Sequence, residues 1–438
     1  MEQNTPIDNK VVSQKINESG LPEVGTATIR EIKKLVDNIE GATGEKFIRM
    51  EMGIPGLPPT QVGVDAEIAA LKKGVAAIYP DIHGIAPLKT EISKFVKNFI
   101  NADVSPEGCI PTVGSMQGGF AAFLTVNRLV KGKEKVLFID PGFPVHKQQL
   151  QVIGYGWDSF DVYNFRGDKL RAKLESYLST GEFSSILYSN PNNPSWICFN
   201  ELELEIIADV CKKYGVIVME DLAYFAMDFR KDLSHPGQAP YQASIANYTD
   251  DYILFISSSK AFSYAGQRIG MMVISDHLFK SDFPDLKRFY KTTEFGYSMI
   301  YGTLYALSSG TSHSAQYALQ AILEAANTGE FDFVNTVKVY GEKAKVMKKL
   351  FIDNGFKIVY DQDLGEPIAD GFYFTFSYPG MTGVELLNKL VYYGISAISL
   401  AITGSDRIEG IRACVSLVKE TQFGDLESRL KAFNENNK

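Results

Sequence analysis

The residues Tyr252-Ile-Leu-Phe-Ile256 run directly into Ser257-Ser-Ser-Lys260-Ala-Phe-Ser-Tyr-Ala-Gly-Gln-Arg268-Ile-Gly270. The first five are aromatic and branched, which predicts a buried strand. The serines and the lysine then emerge at the strand's end, where open sheets bind their ligands. A serine three residues before a lysine, with an arginine eight residues after it, offers one amine able to form an imine. It is flanked by a hydroxyl and a guanidinium suited to one phosphate. Taken alone, a Ser-x-Ser-Lys is more often a surface lysine in a serine-rich loop, so the reading depends on what surrounds it.

Outward from this stretch the same pattern repeats. Short apolar runs at Val136–Ile139, Ser185–Tyr188, Val216–Met219 and Met271–Ile274 alternate with amphipathic segments such as Glu201–Tyr214. That alternation predicts an α/β fold, a mostly parallel sheet with helices on both faces. The strand ends carry Asp140-Pro-Gly-Phe143-Pro-Val-His146, then Asn190-Pro-Asn-Asn193-Pro194, then Glu220-Asp221-Leu-Ala-Tyr224. Each delivers a polar or aromatic group toward a common crevice. Upstream, Thr112–Phe120 (TVGSMQGGF) precedes a helical run to Val130, which places Gly114, Ser115 and Met116 at a helix N-terminus whose free N–H groups suit phosphate. No Gly-x-Gly-x-x-Gly occurs, and Gly154-Tyr-Gly156 lacks the third glycine, so a nicotinamide dehydrogenase loses ground.

Earlier still, Thr28–Ile39 has helical spacing, and Phe47–Gly56 reads as a short strand ending in a Gly/Pro turn. Gly53 there either admits a ligand close to the backbone or is a plain turn glycine. Tyr79-Pro-Asp-Ile-His83-Gly84 leads to Leu88 and Lys89, which head an amphipathic segment to Ile100. Tyr79 can donate a phenolic hydrogen bond or simply pack.

Composition bounds the function. The net charge of −8 argues against general affinity for nucleic acid or anionic membrane, while leaving room for a local basic pocket. Cys109, Cys198, Cys211 and Cys414 are widely spaced without a Cys-x-x-Cys pair, so neither a disulfide framework nor a metal site is expected. Met1–Gly20 is polar, and no later stretch approaches a membrane span, so the cytoplasm is the expected location.

The strand-end groups match what a pyridine ring bearing a phenolic oxygen, a phosphate and an aldehyde requires, which is pyridoxal 5'-phosphate. Asp221 can keep the ring nitrogen protonated, Tyr224 and Asn193 can hydrogen-bond the phenolic oxygen, and Phe143 can stack on the ring. Arg268, Ser257 and the helix N-terminus at Gly114 can take the phosphate. Lys260 must lose its proton to attack, a lowering of about three units from ~10.4, roughly 4 kcal/mol, for desolvation and nearby cations to supply. Singly, Asp221 is equally a helix cap, Asn193 a turn residue, Phe143 core and Arg268 a surface charge. Their order on successive strand ends is what argues for a site.

These residues resemble the fold-type I pyridoxal-phosphate enzymes, specifically the class I/II aminotransferases of the aspartate aminotransferase-like superfamily, from Gly53 to Arg412. Tyr79-Pro80 with Gly84 and Leu88-Lys89 is similar to the family's tyrosine motif, which implies that Tyr79 reaches the phosphate of a neighbouring subunit in a homodimer with shared active sites. Asn190–Pro194 resembles Asn-Pro-x-Asn-Pro-Thr-Gly, which implies Asn193 on the phenolic oxygen. Asp221-x-x-Tyr224 and Ser257-x-Ser-Lys260, with Gly266 and Arg268, complete the set. Gly404 and Gly410-Ile-Arg412-Ala-Cys414 resemble the segment whose arginine binds the substrate α-carboxylate; Gly53 and Asn193 join it as substrate contacts. His146 matches a position beside the ring-nitrogen aspartate and reads either as support for it or as packing. The chain departs from the pattern at Ser195-Trp196, where the family continues Thr-Gly, and at Met116-Gln117.

The resemblance implies a large cofactor domain, residues 61–320, and a smaller α+β domain from residues 1–60 and 321–438. The expected activity is transfer of the amino group of an L-amino acid to a 2-oxo acid, with Lys260, Asp221 and Tyr224 catalytic and amino-acid metabolism the setting. The same scaffold also supports β-elimination, such as carbon-sulfur lysis. A regulator that merely binds the cofactor needs a DNA-binding module ahead of Gly53, and no helix-turn-helix pattern is found there. Trp196 in place of glycine hints at a neutral or aromatic substrate.

Overall fold

In the computed structural model, which describes residues 5–438, the chain divides into two units. The larger comprises Leu57–Asn192 and Cys198–Val337, and the smaller comprises, of the described residues, 5–56, Asn193–Ile197 and Lys338–Lys438. Residues 1–4 of the polar N-terminal stretch lie outside the described residues.

The larger unit is built on a seven-stranded sheet. Its strands are β1 (Cys109–Thr112), β2 (Lys135–Asp140), β3 (Trp157–Asp161), β4 (Phe183–Ser189), β5 (Ile217–Leu222), β6 (Tyr252–Ser257) and β7 (Gly270–Ile274). They lie in the order β1-β7-β6-β5-β4-β2-β3. The run from β6 through β5, β4 and β2 to β3 is parallel, and β7 is antiparallel to both of its neighbours. Both faces of β4, β5, β6 and β7 are buried, which is why these strands read as continuous apolar runs and not as alternations.

Three helices matter for the site: α1 (Gly114–Val126), α2 (Pro144–Ile153) and α3 (Glu201–Tyr214). The ends of α3 are set by local chemistry. Asn200 and Glu203 form a reciprocal capping box, Lys212 and Lys213 occupy the last turn, and Gly215 closes the helix at φ 61°. Glu203 also holds Arg166 through Nε and Nη2, each at 2.7 Å. The helical run expected to reach Val130 stops at Val126, because Asn127 leaves the helix buried, its Oδ1 accepting from Ser184 Oγ at 2.5 Å. Ala121, Phe123 and Val126 of α1 pack with Phe138, Met219, Phe255 and Met272 of the sheet, so the core lies directly behind the strand ends.

In the smaller unit a four-stranded antiparallel sheet contains β8 (Lys357–Ile358), β9 (Tyr373–Ser377), β10 (Ile398–Ser399) and β11 (Ile411–Cys414), in the order β10-β11-β9-β8. Ile48–Arg49 pairs in parallel with Ile395–Ser396. The helix Ile29–Thr43 begins at Thr28, whose side chain and that of Glu31 cap each other's backbone. Among the described residues no helix is long and apolar enough to cross a membrane.

Candidate active site

Strand register sets the first part of the site. Ser257, the last residue of β6, lies opposite Gly270, and Gly270 lies opposite Thr112 at the end of β1. Three backbone steps therefore bring the Ser257 hydroxyl, the start of β7 and the entry to α1 onto one edge. A Cβ on Gly270 would stand 2.8 Å from the Ser115 amide nitrogen, so only glycine lets β7 pass the helix start this closely. Gly114 enters α1 at φ 65°, and a Cβ there would meet Arg268 Nη2 at 2.7 Å. Arg268 itself sits at φ 51°, and its Nη1 donates to the Ala265 carbonyl at 2.8 Å. The guanidinium is thus held against the positive end of a 13-residue helix with no carboxylate to pair it. Ser257 Oγ caps the short turn Ser258–Ala261 by accepting from the Ser259 amide at 3.2 Å, which presents Lys260 just beyond the strand.

One strand further in, Asp221 is in register with Ser189 of β4 and Phe255 of β6. Its side chain is buried, with Oδ1 accepting from the Ala223 amide at 3.1 Å and Oδ2 lying 3.3 Å from His146 Nε2. His146 comes from α2, is also buried, and leaves Nδ1 without a hydrogen-bond partner. With Nε2 carrying the proton, the imidazole donates to the carboxylate and fixes its plane. The His146 and Phe143 rings stand nearly perpendicular, with centroids 5.5 Å apart. Of its two readings, the geometry favours support for Asp221. Tyr224 is buried two residues past β5, and Lys260 Nζ lies 5.6 Å from the centre of its ring. Met116 is exposed, and its carbonyl accepts from Gln149 Nε2 at 3.0 Å.

A second group assembles wholly within the smaller unit. Arg412 is 2% exposed, the one buried arginine among the described residues. Its Nη2 donates to the Glu51 carbonyl at 2.7 Å and its Nη1 to Asn193 Oδ1 at 3.4 Å, while Nε has no acceptor. Its carbon Cζ stands 4.5 Å from the centre of the Tyr373 ring. Gly53 touches the same tyrosine: a Cβ there would fall on the Tyr373 hydroxyl. A guanidinium with five N–H donors, buried and without a carboxylate, retains the capacity to receive one in bidentate fashion.

Tyr79 is 89% exposed, so it is not a packing tyrosine within this chain. Lys89, next to it in the motif, is buried; its Nζ donates to the carbonyls of His83, Glu107 and Cys109, and burial pushes its pKa down to about 8. Three residues escaped the sequence reading. Tyr373 and Glu51 contribute a ring face and a backbone carbonyl, neither of which leaves a motif, and Glu220 was read only as the neighbour of Asp221. Glu220 is fully buried and accepts from Ser244 Oγ at 2.5 Å, the Ile245 amide at 3.1 Å and Asn190 Nδ2 at 3.4 Å.

A lysine at the end of a parallel strand, a buried aspartate one strand away, and an arginine against a helix N-terminus define the class of fold-type I enzymes. The chain belongs to the family Aminotransferase class I and II, whose sequence profile matches residues 45–364, and it is accordingly a transaminase. It is similar to a probable aspartate aminotransferase of Methanocaldococcus jannaschii, 26% identical over 93% of this chain and 96% of that one. It is also similar to a glutamate-pyruvate aminotransferase of Escherichia coli, 28% identical over 52% of this chain and 54% of the relative. In fold it resembles the aspartate aminotransferase of Thermotoga maritima, with a TM-score of 0.75, 20% identity and coverage of 96% and 99%. The alanine aminotransferase of Pyrococcus furiosus gives a TM-score of 0.74, 19% identity and coverage of 94% and 98%. Arg412 lies outside the profile-matched residues, so its assignment rests on its own geometry.

Proposed function

We propose that this protein transfers the amino group of an L-amino acid to a 2-oxo acid, with pyridoxal 5'-phosphate as cofactor and Lys260 as the residue that carries it. The observation that carries this reading is Arg268, a guanidinium without a carboxylate partner set against the N-terminus of α1, one strand end from Lys260. When bound, the cofactor would supply an aldehyde for the amine and a ring that takes up electrons as the α-proton leaves. Arg268, Ser257 and the amides of Ser115 and Met116 are proposed to hold its phosphate. Asp221, oriented by His146 and the Ala223 amide, is proposed to keep the pyridine nitrogen protonated, with Phe143 against the ring face. Tyr224 and Asn193 are assigned to the phenolic oxygen.

Lys260 would hold the cofactor through its amine and, when that amine is free, would take up and return the substrate's α-proton, a task suited to its flexible stem. Arg412 takes the α-carboxylate, pairing a cation that the chain leaves without an anion. Gly53, whose missing side chain makes room for the Tyr373 hydroxyl, is proposed as a substrate contact beside it.

A homodimer belongs to the same proposal. Tyr79, Ile78, Leu71 and Ile68 are exposed at 89%, 58%, 47% and 45%, an apolar surface of the larger unit that a second copy would cover while receiving the Tyr79 hydroxyl at its phosphate. The test is borohydride reduction of protein mixed with pyridoxal phosphate, followed by peptide mapping, together with a panel of amino donors scored by 2-oxo acid formed. Label on Lys260 and 2-oxo acid from at least one donor are expected; label confined to another lysine overturns the reading.

A further inference from the structure

We propose that Trp196 is a positioning residue for the substrate carboxylate, setting the orientation of Arg412 through Tyr373. The inference rests on the reading of Arg412 given under Proposed function and goes beyond it by naming what aims the guanidinium.

Trp196 stands where the resembled motif carries glycine, and it keeps a glycine's backbone: φ is 64°, a conformation that costs a non-glycine residue energy. The side chain that bears this cost is buried. It is 1% exposed, and its indole lies over Gly371, where a Cβ would fall inside the ring. The large residue at one position is therefore accommodated by the missing side chain at the other. The indole also meets the Tyr373 ring near-perpendicularly, with centroids 6.1 Å apart and planes at 71°. The tip of Tyr373 is confined as well, since Gly53 abuts its hydroxyl.

The consequence falls on Arg412. In the β9–β11 ladder Arg412 is opposite Thr375 and Tyr373 opposite Cys414, so Tyr373 and Arg412 are diagonal neighbours on one face. Only one of the guanidinium's hydrogen bonds is short, that to the Glu51 carbonyl; the bond to Asn193 Oδ1 is 3.4 Å and Nε has none. One short bond fixes the position of one nitrogen but does not by itself set the plane of the group. The second constraint is the Tyr373 face, 4.5 Å away. Bidentate recognition of a carboxylate depends on that plane. Trp196 enters as the group packed on Tyr373. The departure from the family's glycine thus acts from behind the carboxylate end of the site, and it does not fill substrate space.

The test compares L-alanine with ethylamine and L-phenylalanine with phenethylamine, pairs that differ only in the carboxyl group, in the first half-reaction. The rise in Tm produced by pyruvate or phenylpyruvate serves as a readout without turnover. Trp196→Gly is expected to raise KM for the amino acids about tenfold, the worth of roughly one hydrogen bond to a charged group, and to leave the amines unchanged. It should also shrink the 2-oxo acid effect on Tm, whereas Trp196→Phe retains most of both. Gly371→Ala, which drives a methyl group into the indole, should reproduce the loss. The double variant should be no worse than Trp196→Gly alone, because the methyl group then has room. Should Trp196→Gly fail to fold, Trp196→Phe and Gly371→Ala carry the same comparison. Equal losses for amino acids and amines, or strictly additive effects, would overturn the proposal. If Arg412→Ala leaves the amino acid-to-amine ratio intact, the Arg412 reading itself is wrong; if that ratio collapses in Arg412→Ala but not in the Trp196 or Gly371 variants, only the present inference fails.

Discussion

Glu220 and Asp221 are consecutive in β5, so their side chains leave opposite faces of the sheet, and only Asp221 turns toward the proposed cofactor. Glu220 is 0% exposed. Burial lifts its pKa from 4.5 to about 7, although hydrogen bonds from Ser244, Ile245 and Asn190 pull the other way. Between those two values the folded chain holds a proton that the unfolded chain has released, so stability falls as pH rises through the window. A displacement of this size corresponds to roughly 3 kcal/mol, fully lost once the pH is above the folded value. Glu220→Gln keeps the shape and the acceptor oxygen and has nothing to ionise. Its stability should lie within about 1 kcal/mol of wild type near pH 5 and exceed it by about 2 to 3 kcal/mol near pH 8. Urea midpoints measured at half-unit steps between those limits report the difference, since every other carboxylate is common to both proteins. Curves that stay parallel across the range would show that Glu220 does not titrate in the folded state, and the burial argument would be wrong.

Three further outcomes follow from the site. Lys260→Ala should abolish turnover and borohydride labelling while leaving the unfolding midpoint within ~1 kcal/mol of wild type, because the residue is half-buried beyond its strand and carries no core packing; an active variant removes the central assignment. Asp221→Ala should still bind cofactor yet lose at least ~100-fold in the single-turnover loss of α-deuterium, and exchange near the wild-type rate would reduce Asp221 to a cap on the Ala223 amide. Mixing Lys260→Ala with Tyr79→Phe should restore activity through hybrid sites, whereas Lys260→Ala with Arg412→Ala should not; full activity in a strictly monomeric preparation counts against the shared site.

The strand cores and α3 were legible because burial on both faces and a capping box are local properties: Tyr252–Ile256 became β6 with one added residue, and Glu201–Tyr214 is α3 without change. The lone antiparallel strand was not, since Met271–Ile274 has the same apolar content whichever way it runs, and only its pairing with Cys109–Thr112 and Tyr252–Ser257 reveals direction. Candidate site residues borne on strand ends could be proposed from their order. What they touch could not: His146 and Asp221 are 75 positions apart, and Arg412 meets Glu51 across 361. Trp196 is the instructive case. As a substitution it suggested a change in substrate shape, yet its burial against Gly371 and Tyr373 depends on a glycine 175 positions away that no local pattern connects to it.

The charge pattern supplies the remaining argument. The chain carries 52 acidic against 44 basic residues, so acids are in surplus, and several of its partly buried arginines have found them. Arg49 pairs with Asp37 and Glu40, Arg166 with Glu203, and Arg230 with Asp228. Arg429, which pairs with none, is satisfied by the carbonyls of Gly394 and Lys46 at 2.7 and 2.8 Å. Arg412 is more deeply buried than any of these, and it has one short bond, one long one and an idle Nε. Desolvating a cation without pairing it costs several kcal/mol. A substrate carboxylate received by Arg412, as proposed, would offset that cost. Arg268 differs in being exposed, but it too stands beside a helix N-terminus without a carboxylate partner, a setting that favours an anion. Under the proposed function, the planar carboxylate of an amino acid and the phosphate of pyridoxal phosphate would supply the anions that both arginines lack.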